Sequence, residues 1–184
     1  MNFSVSKGQL LALVGNSGSG KSTLLHSILG FTDIYEGKIY FNGEDVTEKK
    51  QLRRKQIRYC FQDAYLFQRT IGDNLMYNND DTALADIWEI CGITELCALK
   101  GEDYMLDSTN QKMSGGEKRR LAFCRTINRS VPFYFFDEPT AELDSENRER
   151  IIEALCELKK RAAIVVATHD EKLIERASKV YSLD

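Results

Sequence analysis

The segment Gly15-Asn16-Ser17-Gly18-Ser19-Gly20-Lys21-Ser22 constrains this chain more than any other. It fits the pattern G-x-x-x-x-G-K-[ST] and has the setting that pattern requires. An apolar, strand-like run from Gln9 to Gly15 precedes it, and a helix is predicted from Lys21 to about Leu29. Glycines let the backbone curl so that its N–H groups point inward at an anion. The helix that follows adds the partial positive charge of its N-terminus. Asn16, Ser17, Gly18, Ser19, Gly20, Lys21, Ser22 and Thr23 are therefore candidate phosphate contacts. Lys21 is placed to reach the β- and γ-phosphates of a nucleotide, and the Ser22 hydroxyl to hold Mg²⁺.

Around this loop the chain alternates strand and helix signals. Lys38 to Asn42 alternates as a strand and ends in a turn at Asn42-Gly43. Ile57 to Phe61 reads as a short strand, and Ala83 to Cys91 and Glu95 to Lys100 as helices around Gly92. A long helix is predicted from Gly116 to about Arg129, with charged residues clustered early. Phe133 to Phe136 and Ala162 to Ala167 are fully apolar, as buried parallel strands are. Glu146 to Lys160 is amphipathic, with Ile151, Ile152, Leu155 and Leu158 on one face. This order implies an α/β fold with a mostly parallel sheet. The middle third, about residues 63–112, reads as a helical subdomain of a single domain spanning 1–184.

Asp137 and Glu138 follow the apolar run that begins at Phe133. The C-terminal end of a strand in an open α/β sheet is where ligands bind. Adjacent strand residues point to opposite faces, so the two acids are expected to differ in role, one toward a metal and one toward a reacting water.

Composition narrows the function. Net charge is -3 across 184 residues, so a dedicated nucleic-acid surface is not expected. The basic stretch Lys49, Lys50, Arg53, Arg54, Lys55 and Arg58 reads as a solvated face, and Trp88, at helical spacing from Leu84, Ile87 and Cys91, as core packing. The five cysteines form no C-x-x-C pair, so they read as small buried hydrophobes in a reducing compartment. Apolar runs of about six residues fall far short of a membrane span, and the N-terminus lacks the features of a secretory leader. A cytoplasmic protein is expected.

With these sites in place the chain resembles the ATP-binding domain of ABC transporters. Gln62, ending the strand Ile57-Arg58-Tyr59-Cys60-Phe61, matches the family's Q-loop glutamine. Met113-Ser114-Gly115-Gly116-Glu117 resembles the signature LSGGQ, with Glu117 in place of the usual Gln. Glu138-Pro139-Thr140-Ala141-Glu142-Leu143-Asp144 resembles the acid pair running into the D-loop, and His169 matches the switch histidine. The stretch Gln62 to Phe67, then Thr70 to Leu75, is similar to exporter-type members, although Asp107-Ser108-Thr109-Asn110 stands where exporters usually carry a Glu and a Gly.

The resemblance implies a P-loop NTPase core, a helical subdomain, a reduced antiparallel β-subdomain, and ATP and Mg²⁺ as ligands. It assigns the metal to Ser22, Gln62 and Asp137, polarisation of the attacking water to Glu138, and the γ-phosphate contacts to Lys21 and His169. Ser114, Gly115, Gly116 and Glu117 face the ATP of the other protomer in a head-to-tail dimer, and Asp144 lies across that interface. The implied partners are a paired ATP-binding subunit and a transmembrane domain or subunit, with Tyr65 and Phe67 near that contact. Location at the inner face of the cell membrane follows, and no nucleic acid is expected. Only 14 residues precede Gly15, and the family's adenine-stacking aromatic has no match among them; Phe3 aligns better with a buried strand position. Ser114-x-x-Glu117 and Thr168-x-x-Glu171 also fit capping boxes. Two other readings stay open: a truncated or regulatory module with little activity, and a soluble ATPase of this family acting on nucleic acid or ribosomes.

Overall fold

The chain's computed structural model describes residues 2–63, 65–77, 85–106 and 113–183. Strand β1 (Leu10–Val14) leads through the glycine loop into helix α1 (Lys21–Leu29). A small hairpin, β2 (Tyr40–Phe41) and β3 (Glu44–Asp45), turns at Asn42 and Gly43, which both take positive φ (51° and 84°) as a type I′ turn requires. Helix α2 (Lys50–Gln56) feeds β4 (Ile57–Cys60). Helices α3 (Ile71–Met76), α4 (Ala85–Ile90) and α5 (Ile93–Lys100) occupy the middle third. Then come α6 (Gly115–Ile127), β5 (Phe133–Asp137), α7 (Ser145–Leu158), β6 (Ala163–Ala167), α8 (Glu171–Glu175) and β7 (Lys179–Ser182).

The main sheet has strand order β4-β5-β6-β1-β7, and every described pairing in it is parallel. Both faces are covered, which explains the unbroken apolar runs of β1, β5 and β6. Leu10, Tyr134, Phe136, Ile164 and Val166 pack with α3 to α7 on one face. Leu11, Leu13, Phe135, Val165 and Ala167 pack with Leu25 and Leu29 of α1 on the other. The period-2 alternation of β1, β5 and β6 thus supplies two cores from one sheet.

Three local readings need correction. The basic stretch is a solvated face except at one position: α2 forms there with Lys49, Arg54 and Lys55 exposed, but Arg53 is 1% exposed. Its Nη1 donates to the carbonyls of Ser27 (2.8 Å) and Ile28 (2.9 Å), and Arg54 donates to those of Leu29 and Gly30. The two guanidinium groups thus satisfy the orphan carbonyls at the C-terminus of α1. Lys49 pairs with Glu44 and Lys50 with Asp33. The Thr168–Glu171 box does not form either. Thr168 is buried, and its hydroxyl accepts from the Asp170 N–H, while Asp170 caps α8 by accepting from the Lys172 N–H. Phe3 lies outside any strand, half-buried against Tyr181 at 5.5 Å between ring centroids. Trp88 packs on the main core as expected, whereas Leu84 falls outside the described residues.

Arg53→Ala strips the donor from two α1 carbonyls and empties a buried space, so unfolding free energy should drop by about 3 kcal/mol. Urea denaturation checks this, and a loss under about 0.5 kcal/mol would mean the α1 carbonyls find other partners.

Candidate nucleotide site

The register of the parallel sheet sets the site. Cys60 lies opposite Phe136, Asp137 opposite Ala167, and Ala167 opposite Leu13. The segments leaving β1, β4, β5 and β6 therefore emerge side by side at one sheet edge. Gly15, Ser17, Gly18, Gly20, Lys21, Ser22, Thr23, Gln62, Asp137, Glu138 and His169 line a single open cleft of about 500 Å³. The glycine loop, the strand-end glutamine, the acid pair and the histidine were spread over more than 150 residues of sequence.

In the loop, Gly20 takes φ 94° and opens α1 as its N-cap. At Gly15 an added Cβ would lie 2.6 Å from the carbonyl oxygen of Leu183 and 2.7 Å from Ser19 Oγ, so no larger residue fits. The Lys21 ammonium curls back and donates to the carbonyls of Gly15 (2.7 Å) and Asn16 (3.1 Å). No acidic side chain stands in the first turn of α1, which leaves its positive end uncompensated. Asn16, Ser17 and Gly18 are open to solvent to varying degrees, as a phosphate-binding loop requires, while Ser19 Oγ is buried without a partner.

Asp137 and Glu138 do not diverge as strand alternation predicts. Asp137 is the last residue of β5 and 5% exposed. Glu138 leaves the strand at φ 48°, with its N–H still donating to the Ala167 carbonyl (2.9 Å). That left-handed step brings both carboxylates to the same cleft. Glu138 Oε1 sits 2.9 Å from His169 Nδ1. Tyr59 donates to Asp137 Oδ2 (2.9 Å), and its oxygen lies 3.2 Å from His26 Nε2. Burial, then the charge of Asp137, push the Tyr59 hydroxyl well above its usual value, so it stays a donor.

Arg119, on α6, was missed in the sequence. Its Nη1 donates to the Glu138 carbonyl (3.1 Å), and its Nη2 lies 3.6 Å from the Glu142 carboxylate. Glu142 also has positive φ, 59°. One guanidinium thus holds both left-handed residues of the Glu138–Glu142 turn.

The signature residues stand apart from the cleft lining. Ser114 Oγ accepts from the Glu117 N–H (3.1 Å), and Glu117 Oε2 accepts from the Ser114 N–H (2.8 Å), completing the predicted capping box. Lys100 lies 3.6 Å from the other Glu117 oxygen. Ser114 and Gly115 are exposed, as is Asp144, which caps α7 by accepting from Asn147. The Asn147 N–H, then its side-chain amide, hold the Asp144 carboxyl below its ordinary range. An added Cβ on Gly116 would meet that same Asn147 at 3.4 Å, so the start of α6 and the cap of α7 adjoin. Ala64 and Asp107-Ser108-Thr109-Asn110 lie outside the described residues.

The donors fit a hard cation. Ser22, Gln62 and Asp137 offer a hydroxyl, an amide and a carboxylate on one cleft, and all of them bind through oxygen. Among the described residues no cluster of three or more His, Cys, Asp or Glu side chains could hold a metal alone. That combination suits Mg²⁺, which takes one or two carboxylates plus substrate phosphates rather than an all-protein cage.

The family described as ABC transporter matches residues 1–141. The chain belongs to the ABC transporter family. Among curated proteins, the ATP-dependent lipid A-core flippase of Photobacterium profundum is 34% identical over the whole chain, which spans 33% of that protein. The mitochondrial iron-sulfur clusters transporter ABCB7 of Danio rerio is 33% identical, again over the whole chain, which spans 26% of it. A solved structure of a bacterial Atm1-family ABC exporter with ATP bound superposes with TM-score 0.86 at 30% identity, covering 96% of this chain and 32% of that one. This ABC-family chain therefore has the P-loop NTPase fold and spans about a third or less of each of these relatives. No helix among the described residues is long and apolar enough to cross a membrane.

Gly15→Ala must displace Leu183 or the loop, and should destabilise the protein by about 2 kcal/mol or more. Thermal unfolding at matched conditions tests this; an unshifted midpoint would show that the Leu183 contact is loose.

Proposed function

We propose that this chain binds ATP with Mg²⁺, hydrolyses it as half of a head-to-tail dimer, and thereby powers export through a transmembrane domain or subunit. The observation that supports this most is the convergence of Lys21, Ser22, Gln62, Asp137, Glu138 and His169 on one cleft. The similarity to a solved Atm1-family ABC exporter supports the direction of transport.

In this reading the loop N–H groups and Lys21 bind the phosphates. Lys21 exchanges the carbonyls of Gly15 and Asn16, which it now contacts, for phosphate oxygens. Ser22 and Gln62 would hold the metal directly with Asp137 in support, and the bound ion would supply neutralisation of phosphate charge. Glu138 accepts a hydrogen bond from the attacking water and takes its proton as the water oxygen bonds to the γ-phosphorus and the link to the bridging oxygen breaks; the proton then passes to the released phosphate or to solvent. ADP and phosphate leave. His169 contacts Glu138 through Nδ1, and its ring lies beside the γ-phosphate. Ser114, Gly115 and Gly116 present α6 to the partner's nucleotide, and Asp144 lies across the same interface. The protein would then sit on the cytoplasmic face of the membrane, held there by its transmembrane partner.

Glu138→Gln keeps shape and ATP binding but replaces the carboxylate base with an amide that cannot take the water proton. Turnover should fall by roughly 10²- to 10⁴-fold. Light scattering should show an ATP-dependent dimer of this variant, and wild-type turnover would remove Glu138 from the role. Lys21→Ala deletes a charged contact to phosphate, so ATP affinity should weaken by roughly tenfold or more. Calorimetric titration decides this, and unchanged affinity would count against the loop.

A further inference from the structure

The three residues assigned to the metal come from three different elements: Ser22 on α1, Gln62 just after β4, and Asp137 at the end of β5. One chain of hydrogen bonds crosses the same three elements. His26 lies on α1 one turn beyond Ser22, on the same side of that helix. Its Nε2 is 3.2 Å from the hydroxyl oxygen of Tyr59, which is on β4 three residues before Gln62. Tyr59 spends its single proton on Asp137 Oδ2 at 2.9 Å. The Tyr59 oxygen must then accept from His26, which fixes Nε2–H as the donor. Each link is long-range, spanning 33 residues from His26 to Tyr59 and 78 from Tyr59 to Asp137.

Packing gives this chain of bonds little freedom. Tyr59 lies opposite Phe135, so Asp137 is two residues further along the neighbouring strand on the same face, the face that α1 covers. The Tyr59 ring is edge-on to His26 at 5.4 Å and to Phe61 at 4.6 Å. With one carboxylate oxygen engaged by Tyr59, Oδ1 is left for the cleft. The arrangement therefore sets both the rotation of the Asp137 carboxylate and the distance between α1 and β5.

We propose that Tyr59, backed by His26, is a positioning residue that orients Asp137 and spaces it from Ser22 so that the cleft takes a divalent cation together with ATP. This inference rests on the nucleotide reading above. Neither residue touches the nucleotide; both act through Asp137.

The test separates metal binding from nucleotide binding. The full chain and Tyr59→Phe, each held in excess over ATP so that little free nucleotide chelates the metal, would be titrated with Mn²⁺, with free Mn²⁺ read by electron paramagnetic resonance, and separately with ATP in EDTA by calorimetry. Phe keeps the ring and deletes only the hydroxyl. Mn²⁺ affinity should fall by roughly tenfold, as it does when a group supporting a metal ligand is removed. ATP affinity in EDTA should stay within about twofold, because the loop contacts are untouched. His26→Leu, which keeps the Tyr59 hydroxyl, should show a smaller Mn²⁺ loss in the same direction, and it carries the test alone if Tyr59→Phe does not fold. Unchanged Mn²⁺ affinity overturns the inference. Equal losses of Mn²⁺ and metal-free ATP affinity also overturn it, since they mark a merely structural role. Wild-type protein that binds no ATP in either condition overturns the nucleotide reading, and this inference with it.

Discussion

The parallel register of four neighbouring strands is the constraint on which the rest depends. Cys60, Phe136, Val166 and Ala12 form one rank across β4, β5, β6 and β1. All four strands run the same way, so their C-terminal ends meet at one edge and the chain must leave each of them there. A slip of one residue in any pairing would turn its side chains to the opposite face. In β5 it would send Phe135 into the core occupied by α6 and α7, and Asp137 away from Tyr59. The apolar residues that fill the two cores thus hold the polar ones in alignment, and the site is a product of hydrophobic packing before it is a product of charge.

Where the strands end, regular geometry stops being enough. Glu138 and Glu142 both take left-handed backbone angles that residues with side chains avoid. Such conformations persist only where the surroundings over-determine them. Here Arg119 binds the carbonyl of the first and the carboxylate of the second, and the Glu138 N–H remains tied to β6. Arg119 belongs to the helix whose first turn follows Ser114 and opens at Gly115. The acid turn and the start of α6 are consequently one mechanical unit, joined by a side chain that is 13% exposed.

What could be read from the sequence was local. The glycine loop, the apolar strands, α1 to within a residue and the Ser114–Glu117 box all follow from spacing within a few positions. The residues that escaped are those whose partners lie far along the chain. Arg53 looked like surface charge because nothing near it announces the α1 carbonyls 25 to 26 residues earlier. Tyr59 looked like one more strand aromatic, and Arg119 like one basic residue in a charged first turn. Thr168 failed differently. Its spacing to Glu171 suits a box, but Asp170 competes for the cap and wins, because the shorter reach to the Lys172 N–H starts the helix two residues later. Strand alternation misled at Glu138 for the same reason that the position is useful: the backbone has already left the strand.

The approach of Leu183 to Gly15 has one more consequence. Among the described residues β7 is an edge strand, exposed along most of its length, and joined to the sheet through β1 alone. Its last link is the bond from the Leu183 N–H to the Val14 carbonyl at 2.8 Å, and the next atoms of Leu183 form the wall behind Gly15. Edge strands fray more readily than the strands inside a sheet. If β7 frays from its end, Gly15 loses the Leu183 carbonyl that backs it. Hydrogen exchange at the Leu183 N–H is therefore expected to report on the backing of a glycine loop more than 160 residues away in sequence.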